Sequence, residues 1–395
     1  MHLTKKQEAT LAGERGEVLQ RSMMLLARLG DIYGADRMLP VNSVQVAGVS
    51  YKSIGDPGLD FLEDYAKKGA RVKALTYLNP AGMDMEDWQA LGFPKDFAVK
   101  QKRIMAAFAQ MGIVTSATCT PYLAGNLPRF REHIAWSESS AVSFANSVIG
   151  ARSNREGGPS ALAAALCGVT PNYGLHLDEN RKPNYIVKVE AAMDGMSDYG
   201  ALGYHVGKIV KNKVPYFVGL PESDTDMLKA LGAAMAASGA VGVYHVENQT
   251  PEAHLHKTDG LEAIHFGKKE MDEAYAKLNT GAKADIAILG CPHASLREMI
   301  ALAAKLRGRK VKKALWICTA RATKDTAVQM GIVAEIEKAG GKVVADTCMV
   351  VSPIEDMGYK TTGVNSGKAG NYLPGFCKQS VVYRNIDDLV KEVTE

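Results

Sequence analysis

The sequence predicts an α/β protein built from several units with mainly parallel sheets. Three observations carry the prediction. The chain has 395 residues, more than one hydrophobic core ordinarily serves, so two or three packed units are expected. Short runs rich in β-branched residues alternate with segments of helical period, the pattern of strands joined by crossovers. The last third reads as β-α-β-α-β, and crossovers of that length join only parallel strands.

In chain order, residues 8–29 carry Leu11, Val18, Leu19, Leu25, Leu26 and Leu29 at spacings near three and four, which predicts one helix. Gly30 and Gly34 punctuate its end. A strand over 44–47 ends in Gly48-Val49-Ser50, a helix over 59–68 closes at Gly69, and a strand over 72–78 runs into Asn79-Pro80-Ala81-Gly82. The helix over 101–110 stops at Gly112, and the β-branched run 113–118 leads directly into Cys119-Thr120-Pro121-Tyr122. Ala135 to Ser140 precede a helix over 141–149. The glycine- and alanine-rich middle holds strands near 184–189 and 214–218 and a helix over 160–166. The last unit has strands over 284–290, 313–318 and 342–347, with helices over 295–306 and 326–339 between them. The expected division is 1–120, 121–275 and 276–395, with approximate boundaries and units free to be discontinuous.

Composition narrows the class. Hydrophobic residues at 46% and charged residues at 23% indicate a globular chain rather than a disordered one. Net charge is +4 without a long basic run, and aromatics at 7% are sparse for base stacking, which argues against a nucleic-acid partner. No apolar stretch of about 18 residues is present, so no membrane span is expected. The N-terminus, Met1-His2-Leu3-Thr4-Lys5-Lys6, has charge where a signal peptide needs an apolar core, and a cytoplasmic location is expected.

The six cysteines, Cys119, Cys167, Cys291, Cys318, Cys348 and Cys377, include no C-x-x-C pair. Any one of them is ordinarily a small buried hydrophobe. Cys119, Cys291 and Cys348, however, each stand at the C-terminal end of an expected strand, the sheet edge where ligands bind. Converging thiolates suit a soft metal: a structural zinc with a fourth ligand, or an iron–sulfur cluster with one iron left open as a Lewis acid. Three separate buried thiols are the alternative. Cys318 ends another strand and is a fourth candidate ligand, Cys167 belongs to the core, and Cys377 has no evident partner.

Other polar groups have two readings each. Gly48-Val49-Ser50 offers N–H groups to an anion or is a plain turn. Glu138, beside Ser139 and Ser140, is a helix cap or an active-site acid. Lys368 lies in the glycine-rich stretch Asn365-Ser366-Gly367-Lys368-Ala369-Gly370-Asn371-Tyr372-Leu373-Pro374-Gly375, read as a loop able to hold a phosphate or carboxylate. His254 and His256 form a pair expected to be solvated rather than metal-binding.

Taken together, Thr118-Cys119-Thr120-Pro121-Tyr122, Gly290-Cys291-Pro292-His293-Ala294-Ser295, Asp346-Thr347-Cys348-Met349-Val350-Val351 and the Lys368–Gly375 stretch resemble the aconitase X family of the aconitase superfamily. The resemblance covers essentially the whole chain. It implies an aconitase-like fold, with α/β units around a central cluster site, and a hydro-lyase that dehydrates its substrate with an iron–sulfur cluster, of the 4Fe-4S type when intact. Cys119, Cys291 and Cys348 would hold the cluster. Gly48, Val49, Ser50, Asn79, Pro80, Glu138, Ser139 and Lys368 would surround the substrate, with Glu138, Ser139 and Lys368 as catalytic groups. The implied substrate is mevalonate 5-phosphate, a small phosphorylated anion of the modified mevalonate route to isoprenoids. The alternatives are cis-3-hydroxy-L-proline and a non-catalytic protein of the same fold whose metal is closed off by Cys318 or His293. The resemblance further implies a separate small subunit carrying a swivelling domain, which closes the site in a heterodimer and supplies a serine as base.

Overall fold

A computed structural model describes all 395 residues, Met1–Glu395. Three parallel sheets organise it. The first orders its strands Val114–Ala117, Leu75–Leu78, Ser43–Val46 and Ala135–Trp136. The second orders Glu262–Phe266, Tyr185–Val189, Pro215–Val218 and His245–Val246. The third has five strands, in the order Lys342–Ala345, Ala314–Thr319, Ile286–Ala294, Thr361–Val364 and Ser380–Tyr383. A short antiparallel pair, Met38–Pro40 with Val169–Pro171, closes the N-terminal unit. The expected mainly parallel α/β architecture is therefore present. No helix is long and apolar enough to cross a membrane.

One hydrophobic cluster joins the second and third sheets and receives Met83, Phe93 and Ala98 from the first unit. A second fills the N-terminal unit around Val44, Leu78, Ile104 and Phe108. Small residues set the close approach of the helices Met196–Val210 and Thr225–Gly239. A Cβ on Gly203 would lie 2.5 Å from the Leu231 carbonyl oxygen, and one on Gly239 only 2.0 Å from that of Gly207. The small-residue density of the middle region is thus a packing requirement.

Several elements differ from the periodicity reading. The single helix expected over 8–29 is two, Lys5–Leu11 and Glu17–Ile32, because Gly16 takes φ +93° between them. The helix expected over 326–339 is likewise divided, into Arg321–Gln329 and Ile332–Lys338. The strand carrying Cys291 does not stop at Gly290 but continues to Ala294, with an irregularity of register after Leu289. The stretch around Lys368 is the helix Gly367–Cys377 rather than a loop. Ser366 caps it by accepting from the Ala369 N–H at 3.1 Å. Its first glycine is needed for contact, since a Cβ on Gly367 would meet the Gly200 carbonyl oxygen at 2.4 Å.

Candidate active site

The strands of the first and third sheets present their C-terminal ends to one another. The Ala81 N–H donates to the Asp346 carbonyl at 2.8 Å, and Ala81 and Thr347 form an isolated parallel bridge. This joins the Asn79-Pro80-Ala81 turn to the segment carrying Cys348. Beneath it, Asp84 accepts from the Ala345 N–H at 2.8 Å and from Arg321 Nη2 at 2.7 Å, while Arg321 also binds Asp346 at 2.5 Å. Asp84 is completely buried, and a buried carboxylate persists only when paired in this way. None of the three cysteine motifs contains Asp84 or Arg321. A buried acid with a distant arginine has no local signature.

Glu138 and Lys368, 230 residues apart in sequence, form an ion pair shielded from solvent. Glu138 Oε2 also accepts from Asn79 Nδ2 at 2.7 Å, and Oε1 from Ser140 Oγ at 3.1 Å. Lys368 Nζ reaches Ser140 Oγ at 3.1 Å. Burial alone would raise the Glu138 pKa, but the charge and hydrogen bond of Lys368, together with Asn79, hold it below the ordinary carboxylate value. Burial works to lower that of Lys368, and Glu138 and the nearby cysteines more than reverse the effect. Glu138 is also the N-cap of the helix Ser139–Phe144, accepting from the Ser140 N–H at 3.4 Å. The helix-cap reading of Glu138 is therefore the one the structure contains. Ser139 sits at the first helical position, partly exposed, with Oγ 3.5 Å from Glu138 Oε1.

The Gly48-Val49-Ser50 turn precedes the helix Tyr51–Lys67. Ser50 Oγ accepts from the Lys52 N–H at 3.2 Å and donates to the Val351 carbonyl at 2.7 Å, so its hydroxyl is committed to structure. Gln101, fully buried, braces the turn: its Nε2 donates to the Val49 carbonyl at 2.9 Å, and its Oε1 accepts from the N–H groups of Tyr51 and Gly82. The N–H groups of Gly48, Val49 and Ser50 have no acceptor within the chain, a donor set suited to an anion. Asn79 Oδ1 is likewise a buried acceptor without a donor. Gln101 could have been suspected only as a polar residue on the buried face of an amphipathic helix.

Cys119, Cys291 and Cys348 are all buried and unbridged. Burial pushes each thiol pKa upward, to about 12 for Cys291, against the opposing charge of Lys368. Such thiols become thiolates only with a strong cationic partner, and as soft donors they fit an iron–sulfur group. No three of the His, Cys, Asp and Glu side chains converge tightly enough to grip a single ion. A cluster does not require that, because its own atoms separate the cysteine sulfurs. Cys318 lies near enough for its thiol to feel the other three. His293 does not close the site as a ligand: Nδ1 is paired with Thr118 Oγ1 and Nε2 with the Thr347 carbonyl, each at 2.9 Å. Cys377 does have partners, sitting under the Cys348 segment with Sγ 3.3 Å from the Val350 carbonyl and 3.4 Å from Lys52 Nζ. His254 is exposed, and the ring of His256 packs on His245 instead.

Comparison with known proteins bears on the family and the fold. The family models described as aconitase X first, second and third domains match residues 1–179, 183–276 and 284–395. The chain is similar to the phosphomevalonate dehydratase large subunit of Methanocaldococcus jannaschii, with 55% identity covering 99% of this chain and 100% of that protein. It is 49% identical to the protein of that name from Thermococcus kodakarensis, over 99% and 100% of the two chains. The cis-3-hydroxy-L-proline dehydratase of Pseudomonas aeruginosa is more distant, 34% identical over 97% of this chain and 68% of that enzyme. The crystal structure of Thermococcus kodakaraensis aconitase X in its holo-form superposes with a TM-score of 0.94 at 48% identity, covering 100% of both chains. With all three domains matched in order and the fold shared from end to end, the chain belongs to the aconitase X family.

Proposed function

We propose that this chain is the large subunit of a phosphomevalonate dehydratase, a hydro-lyase of isoprenoid synthesis. End-to-end similarity to the archaeal large subunits, well above that to the hydroxyproline dehydratases, carries the reading. The reaction removes the tertiary hydroxyl at C3 of mevalonate 5-phosphate and a proton from C2, giving trans-anhydromevalonate 5-phosphate.

Cys119, Cys291 and Cys348 would hold an iron–sulfur cluster, of the 4Fe-4S type when intact. When bound, it supplies a Lewis acid that makes hydroxide a competent leaving group. The chain's own residues bind and orient. The free N–H groups of Gly48, Val49 and Ser50 take an anionic end of the substrate, and Pro80 fixes the turn that carries Asn79. Asn79 Oδ1 accepts a substrate hydroxyl, because it is a buried acceptor without a donor and the Nδ2–Glu138 bond fixes the orientation of the amide. Lys368 offers charge to the other anionic end and keeps Glu138 ionised, while Ser139 supplies a neutral hydrogen bond. With its pKa lowered, Glu138 is a weaker base than an ordinary carboxylate, and the C2 base, a serine, is assigned to the partner subunit. The relatives are named large subunits, which implies a separate small subunit; here it carries the swivelling domain that closes the site and excludes water.

The test is anaerobic purification of the chain with and without its candidate small subunit, cluster reconstitution in both, and assay of three substrates. The complex should dehydrate mevalonate 5-phosphate, and unphosphorylated mevalonate should be far poorer. Full turnover by the lone chain would remove the small subunit from the reading. Turnover of cis-3-hydroxy-L-proline alone would replace the substrate.

A further inference from the structure

We propose that His293 is the positioning residue that keeps the three thiol-bearing segments in register. A buried histidine with both nitrogens paired is usually a local packing solution, and its partners decide whether more is involved. Nδ1 is 2.9 Å from the hydroxyl of Thr118, the residue before Cys119. Nε2 is 2.9 Å from the carbonyl of Thr347, the residue before Cys348. His293 itself stands two residues after Cys291 on the same strand. One imidazole therefore touches the immediate neighbours of two cysteines and belongs to the segment of the third, across 175 and 54 residues of sequence.

The hydrogen-bond chemistry fixes the arrangement. A carbonyl only accepts, so Nε2 carries the proton and Nδ1 accepts from the Thr118 hydroxyl. Thr118 Oγ1 in turn accepts the Thr120 N–H at 3.0 Å, which turns the chain around Cys119. The main chain of His293 adds two ties. Its N–H donates to Cys119 Sγ at 3.1 Å, and its carbonyl accepts from Lys229 Nζ at 3.2 Å. Lys229 is anchored by Asp226 at 2.9 Å and by Glu298. The His293 ring is completely buried, so no water can take over a bond the side chain fails to make. Ligand geometry set by outer hydrogen bonds is a general device of metal sites; here one side chain serves three segments.

The proposal rests on the reading that these thiols hold the cluster, and its test separates the two. Hydrogen exchange is monitored in the full-length, cluster-free chain for the wild type and for His293→Leu, His293→Gln and Thr118→Val. In His293→Leu, amides of 116–122 and 345–351 should exchange about tenfold faster together, with 185–189 of the second sheet unchanged. Thr118→Val should loosen only 116–122, and His293→Gln, which keeps a donor for Thr347, should restore protection at 345–351. After reconstitution, His293→Leu should lose its visible absorption to a chelator faster than the wild type. Unchanged exchange at both segments in folded His293→Leu overturns the proposal, as does loosened exchange with undiminished cluster retention. If His293→Leu does not fold, wild-type exchange of 116–122 in Thr118→Val overturns it instead. A wild-type chain that never acquires a cluster, yet shows the expected exchange pattern, overturns the cluster reading and leaves the tie standing.

Discussion

Asn79 and Glu138, which stand just beyond different strands of the first sheet, meet side chain to side chain, with Asn79 Nδ2 donating to Glu138 Oε2 at 2.7 Å. The contact fixes which end of the amide faces the carboxylate and leaves Oδ1 as a buried acceptor. Asn79→Leu removes both functions. A hydrogen bond to a charged group contributes about 1.5–3 kcal/mol, so kcat/KM should fall by about 10- to 100-fold. Steady-state kinetics of the reconstituted complex measure this; wild-type kcat/KM would show that Asn79 neither orients Glu138 nor meets substrate. Asn79→Asp should be worse, since it sets two carboxylates against each other.

Replacing Lys368 leaves Glu138 buried without its cation. Lys368→Gln should abolish detectable turnover and cost roughly 3–5 kcal/mol in stability at neutral pH, the usual penalty for breaking a buried pair. In the wild type the Glu138 pKa is depressed, so its contribution is present above the unfolded carboxylate value and is lost as pH falls through the folded one. In the variant burial dominates and the pKa rises, so the carboxylate destabilises as pH increases. The gap in Tm between the two proteins should therefore widen from acid toward neutral pH. A constant gap would mean that Glu138 is not the partner that matters.

The Asp84–Arg321–Asp346 network should be a major anchor between the first and third sheets. Asp84→Ala is expected to lower stability by roughly 3–5 kcal/mol, read as a reduced urea midpoint. Arg321→Lys keeps the charge but cannot serve Asp84 and Asp346 together through one planar fork, so an intermediate loss is expected. Equal midpoints for Arg321→Lys and the wild type would show that charge alone suffices.

Serine replacement separates the cysteines. Cys119→Ser, Cys291→Ser and Cys348→Ser should each lose bound iron, acid-labile sulfide and activity together, whereas Cys167→Ser keeps them. Cys377→Ser should also retain the cluster, because serine can still donate to the Val350 carbonyl. Cys318→Ser is the discriminating variant. Loss of iron there would make Cys318 a ligand and close the coordination site.

What the sequence determined by itself is the set of ends. Strand periodicity placed Cys119 and Cys348 just beyond strand C-termini and Cys291 near one, although its strand continues to Ala294, and parallel connectivity required such ends to share an edge within each sheet. The polar, glycine-bearing turns after the strands at Ser43 and Leu75 were visible for the same local reason, with Gly48-Val49-Ser50 open between an anion site and a plain turn. Family resemblance joined these segments to one chemistry. Only the tertiary structure decided how the edges face one another and which side chains meet across them. The Lys368–Glu138 pair spans 230 residues, and nothing in either neighbourhood encodes the other. The Gly367–Cys377 segment has a loop's composition, but Gly367 answers to the close approach of Gly200 and Gly370 to Leu278, and packing holds a helix where propensity opposes it. In the sequence His293 stood only as an alternative fourth ligand to a closed metal site. Its two ring nitrogens were assigned by Thr118 and Thr347, because a buried donor and acceptor must take the partners that packing brings.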